Sequence, residues 1–190
     1  MEHIAWLELR ELNALPPLQE GGVCVEVELI QDSFRRMKAG VLSFSKYVPT
    51  QVVRGLLRMG AGARLGVSRR MISIYFSDIA GFTSICEGMA PSELLVVLSE
   101  YFQAMSEIIG TSGGVLAEFI GDAILGLWNC PDDVPAHAFA CVDAAVKMQE
   151  ALAAMRPGWR KRGFPRVAIR EGVHTDAVYC GNIGSAERMK

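Results

Sequence analysis

Two aspartates stand where short apolar runs meet chain-reversal signals. Asp78 closely follows the run 71–76, and Asp122 sits with Gly121 between the apolar runs 115–120 and 123–128. If those runs form neighbouring strands, the two carboxylates converge at one edge of a sheet. Two carboxylates and a backbone carbonyl are the hard oxygen donors that suit Mg²⁺ or Mn²⁺. Either aspartate alone reads first as a strand terminator that caps a turn. Directly after Asp78 come Ile79, Ala80, Gly81, Phe82 and Thr83. Gly81 lets the backbone approach a ligand, and a helix start beyond it offers free N–H groups. That combination serves as a phosphate cradle or as a structural turn. Glu118 lies within the run 115–120, and a period of two places Leu116, Glu118 and Ile120 on one face. An acid between two apolar neighbours costs free energy unless it is paired or wet. It reads either as an edge-strand residue facing solvent or as a recognition carboxylate for a ligand with paired N–H donors.

The elements that must position these residues follow from periodicity. The run 71–76 reads as a buried strand. A long amphipathic helix follows, with Leu94, Leu98, Tyr101, Phe102, Met105, Ile108 and Ile109 on one face, Pro91 in its first turn and glycines at its end. Two apolar runs around Gly121 and Asp122 signal a hairpin. Residues 136–155 read as a second long helix with Phe139, Val142, Ala145, Val146 and Leu152 inward, stopped by Pro157 and Gly158. Residues 167–174 and 177–183 read as two more strands. The order β-α-β-β-α-β, with one further strand, is the split βαβ arrangement of a ferredoxin-like α+β domain, an α/β sandwich. Upstream, Val27, Ile30, Phe34, Met37 and Val41 step by alternating threes and fours, an a/d seam on a helix that packs within its own domain or forms a dimerising stalk. Pro49 breaks this helix, 52–57 form a short second one, and Gly60, Gly62 and Gly66 make a flexible junction. The expected division is 1–46 as a helical, coiled-coil connector, 47–67 as a junction and 68–190 as the compact domain.

Composition narrows the classes. Of 190 residues, 51% are hydrophobic and 21% charged, which excludes a disordered chain. Lys and Arg number 19 against 21 Asp and Glu, for a formal net charge of −2, which argues against a nucleic-acid binder. No run reaches the roughly 18 apolar residues of a membrane span, and the N-terminus lacks the pattern of a secretory signal. The five cysteines, Cys24, Cys86, Cys130, Cys141 and Cys180, are scattered with no C-x-x-C pair, and His3, His137 and His174 have no ligand spacing. The cysteines read as small buried apolar residues in a reducing, cytoplasmic setting, here or in the cytosolic part of a larger signalling or membrane protein.

Three segments carry a family resemblance. F-S-D-I-A-G-F-T at 76–83, G-G-V-L-A-E-F-I-G-D-A at 113–123 and R-E-G-V-H-T-D-A-V-Y-C-G-N-I-G-S at 170–185 resemble, in order and spacing, the catalytic domain of class III nucleotidyl cyclases. The likeness runs from about Tyr47 to Lys190. The run 26–37 resembles the end of the coiled-coil (HAMP) linker that precedes many signalling domains.

The resemblance implies a head-to-tail dimer, homo- or heteromeric, that converts a nucleoside triphosphate to a 3′,5′-cyclic monophosphate and pyrophosphate. It implies Asp78 and Asp122 as catalytic metal ligands, Ile79 as a carbonyl ligand, and two Mg²⁺ or Mn²⁺ per site. It assigns Gly81, Phe82, Thr83 and Arg188 to the phosphates. Glu118 stands where adenylyl cyclases of the family carry Lys and guanylyl cyclases carry Glu, so GTP is the expected substrate and ATP the alternative. Asp176 occupies a turn position where the family has Gly. The family pattern continues past Lys190 with a second base-reading residue and with an Asn and an Arg that stabilise the transition state. Residues 1–190 by themselves are therefore expected to turn over no nucleotide. A cyclase-like domain serving as a regulatory or structural dimer partner is a competing reading. A diguanylate cyclase is disfavoured, because Val115 and Leu116 follow Gly113 and Gly114 where G-G-[DE]-E-F would be required.

Overall fold

The computed structural model describes residues 25–44, 47 and 66–182. The chain divides into two units, Met1–Arg64 and Leu65–Lys190. In the first, α1 (Val25–Phe44) carries the seam foreseen from the heptad steps. Val27, Ile30, Phe34 and Met37 are exposed along it, and Asp32 and Arg36 form an ion pair one turn apart at 2.7 Å. The expected helix at 52–57 and the glycines at 60 and 62 lie outside the described residues. Gly66 is no hinge: it opens the first strand of the second unit.

That unit runs β1 (Gly66–Ile79), α2 (Phe82–Gly88), α3 (Pro91–Thr111), β2 (Val115–Ile120), β3 (Ala123–Trp128), α4 (His137–Lys161) and β4 (Ile169–Asn182). The sheet order is β2-β3-β1-β4, antiparallel at every pairing. The expected ferredoxin-like α+β order is present. The helices cover one face, and the core forms there from Tyr75, Ile79, Ile124 and Trp128 of the sheet with Tyr101, Met105 and Ile109 of α3 and Met148, Leu152 and Trp159 of α4. Gly114 is required by this packing, since a Cβ there would lie 2.5 Å from the Trp128 ring.

Two elements, β4 and α4, depart here from expectation. The strands at 167–174 and 177–183 are one strand, β4, paired with β1 from Gly66↔Asn182 to Ile79↔Ile169. Asp176 therefore occupies no turn. It lies opposite Ile72 in the ladder, next to Thr175, whose hydroxyl bonds Ser73 Oγ at 2.7 Å. A continuous partner strand outweighs the weak turn propensity of Thr-Asp.

The second helix does not stop at Pro157 but runs on to Lys161. A proline inside a helix removes one ladder hydrogen bond and costs about 3 kcal/mol. Tertiary anchors offset that cost here. The Trp159 indole donates to Glu100 at 2.7 Å, Arg162 donates twice to the same carboxylate, and Arg156 Nε donates to the Val167 carbonyl at 2.9 Å.

The inward face of α4 also differs. Phe139, Val142 and Val146 are exposed, and the small residues Cys141, Ala144 and Ala145 are buried beside Met148 and Leu152. Small side chains let the helix approach the sheet closely, which hydrophobicity alone does not reveal. Nor are the cysteines uniformly buried. Cys141 is, whereas Cys86, Cys130 and Cys180 are half-buried, and burial together with the neighbouring Cys180 pushes the Cys130 thiol up to about 11.

Candidate active site

The site is built at one end of β1. β3 pairs with β1 through Ser77↔Ile124, so the hairpin tip that precedes Ile124 falls beside the end of β1. Gly121 takes a left-handed conformation, φ 66°, in this two-residue turn, and Asp122 follows it. One Asp122 carboxylate oxygen, Oδ2, accepts the Ile79 backbone N–H at 2.9 Å. Asp122 is thereby fixed against the residue that follows Asp78, and the two acids meet as the strand order requires.

Asp78 is held from the other side. In the β1–β4 ladder it lies opposite Arg170. Arg170 Nε donates to Oδ1 at 2.9 Å and Nη2 to Oδ2 at 2.6 Å, a two-bond fork. The guanidinium beside Asp78 holds its carboxyl below the ordinary range. Arg170 is the functional residue that sequence reasoning missed. It stands inside the third quoted motif, but its place opposite Asp78 follows only from the strand register.

The glycine loop continues directly from these residues. Gly81 has φ 70° and ψ 28° and caps α2. A left-handed conformation there favours glycine, and nothing lies within 4 Å of where a Cβ would sit. Phe82 is half-buried against the core, and Thr83 is exposed. Arg188 lies outside the described residues.

Glu118 is where the strand reading needs correction. The β2–β3 register shifts between Leu116 and Glu118, with Leu116 opposite Gly126 and Glu118 opposite Leu125. This bulge turns Leu116 to the helix face, where it packs on the core, and sends Glu118 to the other. Glu118 shares that open face with Leu125 and Phe76, which pair across the next ladder, and hence with Asp78 two residues along β1. Glu118 is half-buried there. Beneath the acids, on the helix face, burial and the negative charges of Asp122, Glu171 and Asp78 push the Tyr101 phenol up to about 12. It stays protonated at any physiological pH.

The donor set fits a divalent cation that keeps open positions. Among the described residues no group of three or more His, Cys, Asp or Glu could hold a metal ion by itself. Two carboxylates leave most of an octahedral shell to backbone oxygen, water and phosphate, which is how Mg²⁺ is usually held.

Residues 67–190 match the family model of the adenylate and guanylate cyclase catalytic domain. The chain belongs to the class III nucleotidyl cyclases. It is 30% identical over 182 residues to adenylate cyclase 1 of Rhizobium meliloti, covering 96% of this chain and 27% of that protein. Among solved structures it is similar to the guanylyl cyclase Cya2, at 39% identity and TM-score 0.63, covering 66% of this chain and 64% of that one. It is also similar to the adenylyl cyclase CyaB from P. aeruginosa, at 31% identity and TM-score 0.63, covering 66% and 65%. The chain thus spans about a quarter of the curated relative and just under two thirds of each solved chain. No helix among the described residues is long and apolar enough to cross a membrane.

Proposed function

We propose that this cyclase domain is a guanylyl cyclase, forming 3′,5′-cyclic GMP and pyrophosphate from GTP in a signalling pathway. The observation that carries the reading is the Ile79 N–H···Asp122 bond, which fixes the second acid at the strand end that bears Asp78. In the reaction the ribose 3′-oxygen bonds to the α-phosphorus, the bond to the β-phosphate oxygen breaks, and the 3′-hydroxyl proton passes to solvent. Asp78 and Asp122, with the Ile79 carbonyl, would hold Mg²⁺ or Mn²⁺, two per site. When bound, these ions supply acidification of the 3′-hydroxyl and charge neutralisation on the departing pyrophosphate.

The chain's own residues do the rest. The Asp122–Ile79 bond orients one carboxylate before any ligand arrives, which lowers the entropy cost of assembling the site. Arg170 keeps Asp78 ionised and is itself a cation at the place where a triphosphate would lie. Gly81, Phe82 and Thr83 supply backbone donors for the phosphates, with Arg188 as a further phosphate contact. Glu118 reads the base, in the site formed with the second subunit of a homo- or heterodimer. Its carboxylate accepts from guanine N1–H and the 2-amino group. Adenine offers no such donor pair.

A second reading, ATP as substrate, is favoured by the adenylate cyclase among the relatives. The decisive experiment is Mn²⁺-dependent binding of GTP and ATP to the wild-type protein and to Asp78→Ala and Asp122→Ala. The expected result is metal-dependent binding with GTP preferred, lost in both variants while circular dichroism is unchanged. Undiminished binding in both folded variants rejects the site.

A further inference from the structure

Away from the acids, the positive charge of the chain is concentrated in one short stretch. Residues 156–166 read R-P-G-W-R-K-R-G-F-P-R, without a single acid, in a chain of formal net charge −2. The structure treats these cations in two ways. Arg162 forms an ion pair with Glu100 at 2.5 Å. Arg156, Arg160, Lys161 and Arg166 instead line one cleft of about 900 Å³ at the C-terminal end of α4, with Phe164 and Pro165 in its wall and no carboxylate. The side chains of Arg160, Lys161 and Arg166 are exposed and make no hydrogen bond or ion pair among the described residues.

The field of the helix accounts for part of this. Cations in the last turn of a helix are favoured, but only Arg160 and Lys161 stand in that turn. Arg156 lies a turn earlier with its Nε on the Val167 carbonyl, and Arg166 belongs to the loop before β4. Four cations around one depression repel one another, and a single carboxylate ligand would not balance them. Guanidinium groups match phosphate oxygens by two-bond forks. The volume lies within the usual range of small-molecule sites, and the ring of Phe164 offers an apolar wall.

We propose that this cleft binds a multiply phosphorylated anion through Arg160, Lys161 and Arg166, with Arg156 at its back. The clustered phosphates belong to a soluble oligophosphate or to the headgroup of a phosphorylated lipid. This site lies on the helix layer, whereas Asp78 faces away from it, and it needs no metal. It does not rest on the guanylyl cyclase reading.

The test uses inorganic tripolyphosphate in EDTA, where binding between two carboxylates without metal is disfavoured. Calorimetry on the wild-type protein is expected to give one site that weakens steeply as salt rises. The double variant Arg160→Glu, Arg166→Glu is expected to bind at least tenfold more weakly, and Arg160→Lys, Arg166→Lys, which keeps the charge but not the forks, to fall between it and the wild type. Asp78→Ala is expected to bind as the wild type does, which separates this site from the cyclase site. A parallel arm sediments the protein with phosphatidylcholine vesicles with and without phosphoinositide. Binding in either arm that the Glu variant loses supports the proposal, and the arm that binds identifies the source of the phosphates. No binding in either arm, or binding that the Glu variant retains, overturns it.

Discussion

Two carboxylate–arginine forks hold this domain at different places, and they do different work. On the helix layer Glu100 accepts two bonds from Arg162, at 2.5 and 2.8 Å, and a third from the buried Trp159 indole at 2.7 Å. Three donors hold its carboxyl down at about 2. At the end of β1, Asp78 accepts the same two-bond fork from Arg170, without an indole behind it and with Asp122 beside it. The first pair ties α3 to the end of α4 and is satisfied from both. The second stands on the open face of the sheet, where the proposed metal ion and triphosphate would take over its partners. Identical pair chemistry thus becomes structural or reactive according to how many further donors close around it.

The comparison is broken most sharply by deleting the acids. Asp122→Ala or Asp78→Ala is expected to lower nucleotide turnover on the order of 10²-fold or more, the scale of losing one preorganised electrostatic group. Glu100→Gln is expected to leave turnover unchanged. A steady-state assay of cyclic nucleotide formation with Mn²⁺ in the full-length protein reads both. Equal losses in Asp78→Ala and Glu100→Gln would erase the distinction.

The next largest effect is on the base. Glu118→Lys is expected to abolish a GTP preference of about 5- to 150-fold. That range is what the lost pair of charge-assisted hydrogen bonds to guanine is worth, roughly 1–3 kcal/mol, at 1.4 kcal/mol per factor of ten. The readout is kcat/KM for GTP and ATP. A ratio unmoved by the substitution would place base selection elsewhere on the open face.

On the structural side, Trp159→Phe removes one donor to Glu100 and shrinks a fully buried side chain. The expected cost is about 1–3 kcal/mol of stability, or about 2–4 °C in Tm per kcal/mol for a chain of this size, with nucleotide affinity unchanged. Thermal melts beside binding isotherms check both halves of that statement.

Most of this site was legible before any coordinates, because it rests on short-range signals. Gly121 and Asp122 between two apolar runs gave the hairpin its observed limits, 115–120 and 123–128. Neighbouring strands then brought Asp78 and Asp122 together. The misreadings all needed information from another element. The bulge that separates Leu116 from Glu118 reflects how β2 fits β3, not the pattern of β2 itself. Arg170 acquires its place only when β4 is laid against β1 as one strand. The inward face of α4 is chosen by how closely small residues let it approach the sheet. Its continuation through Pro157 depends on Glu100, more than fifty residues earlier in the chain.

The smallest expected effect concerns acid stability and sets the two forks against each other directly. The carboxyl of Glu100 is lowered in the fold, from an ordinary 4.5 to about 2. A lowered folded value means that the contribution is fully present above the unfolded value and is lost as pH falls through the folded one. The stabilisation from Arg162 is therefore complete above about pH 4.5 and gone near pH 2. Both side chains are about 40% exposed, so solvent screening reduces the fork to about 0.5–1 kcal/mol. Urea midpoints of Arg162→Gln are expected to lie below those of the wild type at pH 6, with the gap closing progressively below pH 4.5. Arg170→Gln is expected to behave differently. Its partner Asp78 is also lowered, but on an open face, so the gap in urea midpoints should be smaller than for Arg162→Gln and should close over the same acidic range. Without the guanidinium, Asp78 holds its proton to higher pH, and the acid limb of Mn²⁺-dependent nucleotide binding should shift upward as well. A stability loss in Arg170→Gln equal to that in Arg162→Gln would make both forks structural. A shifted acid limb of binding beside a smaller stability loss would separate them.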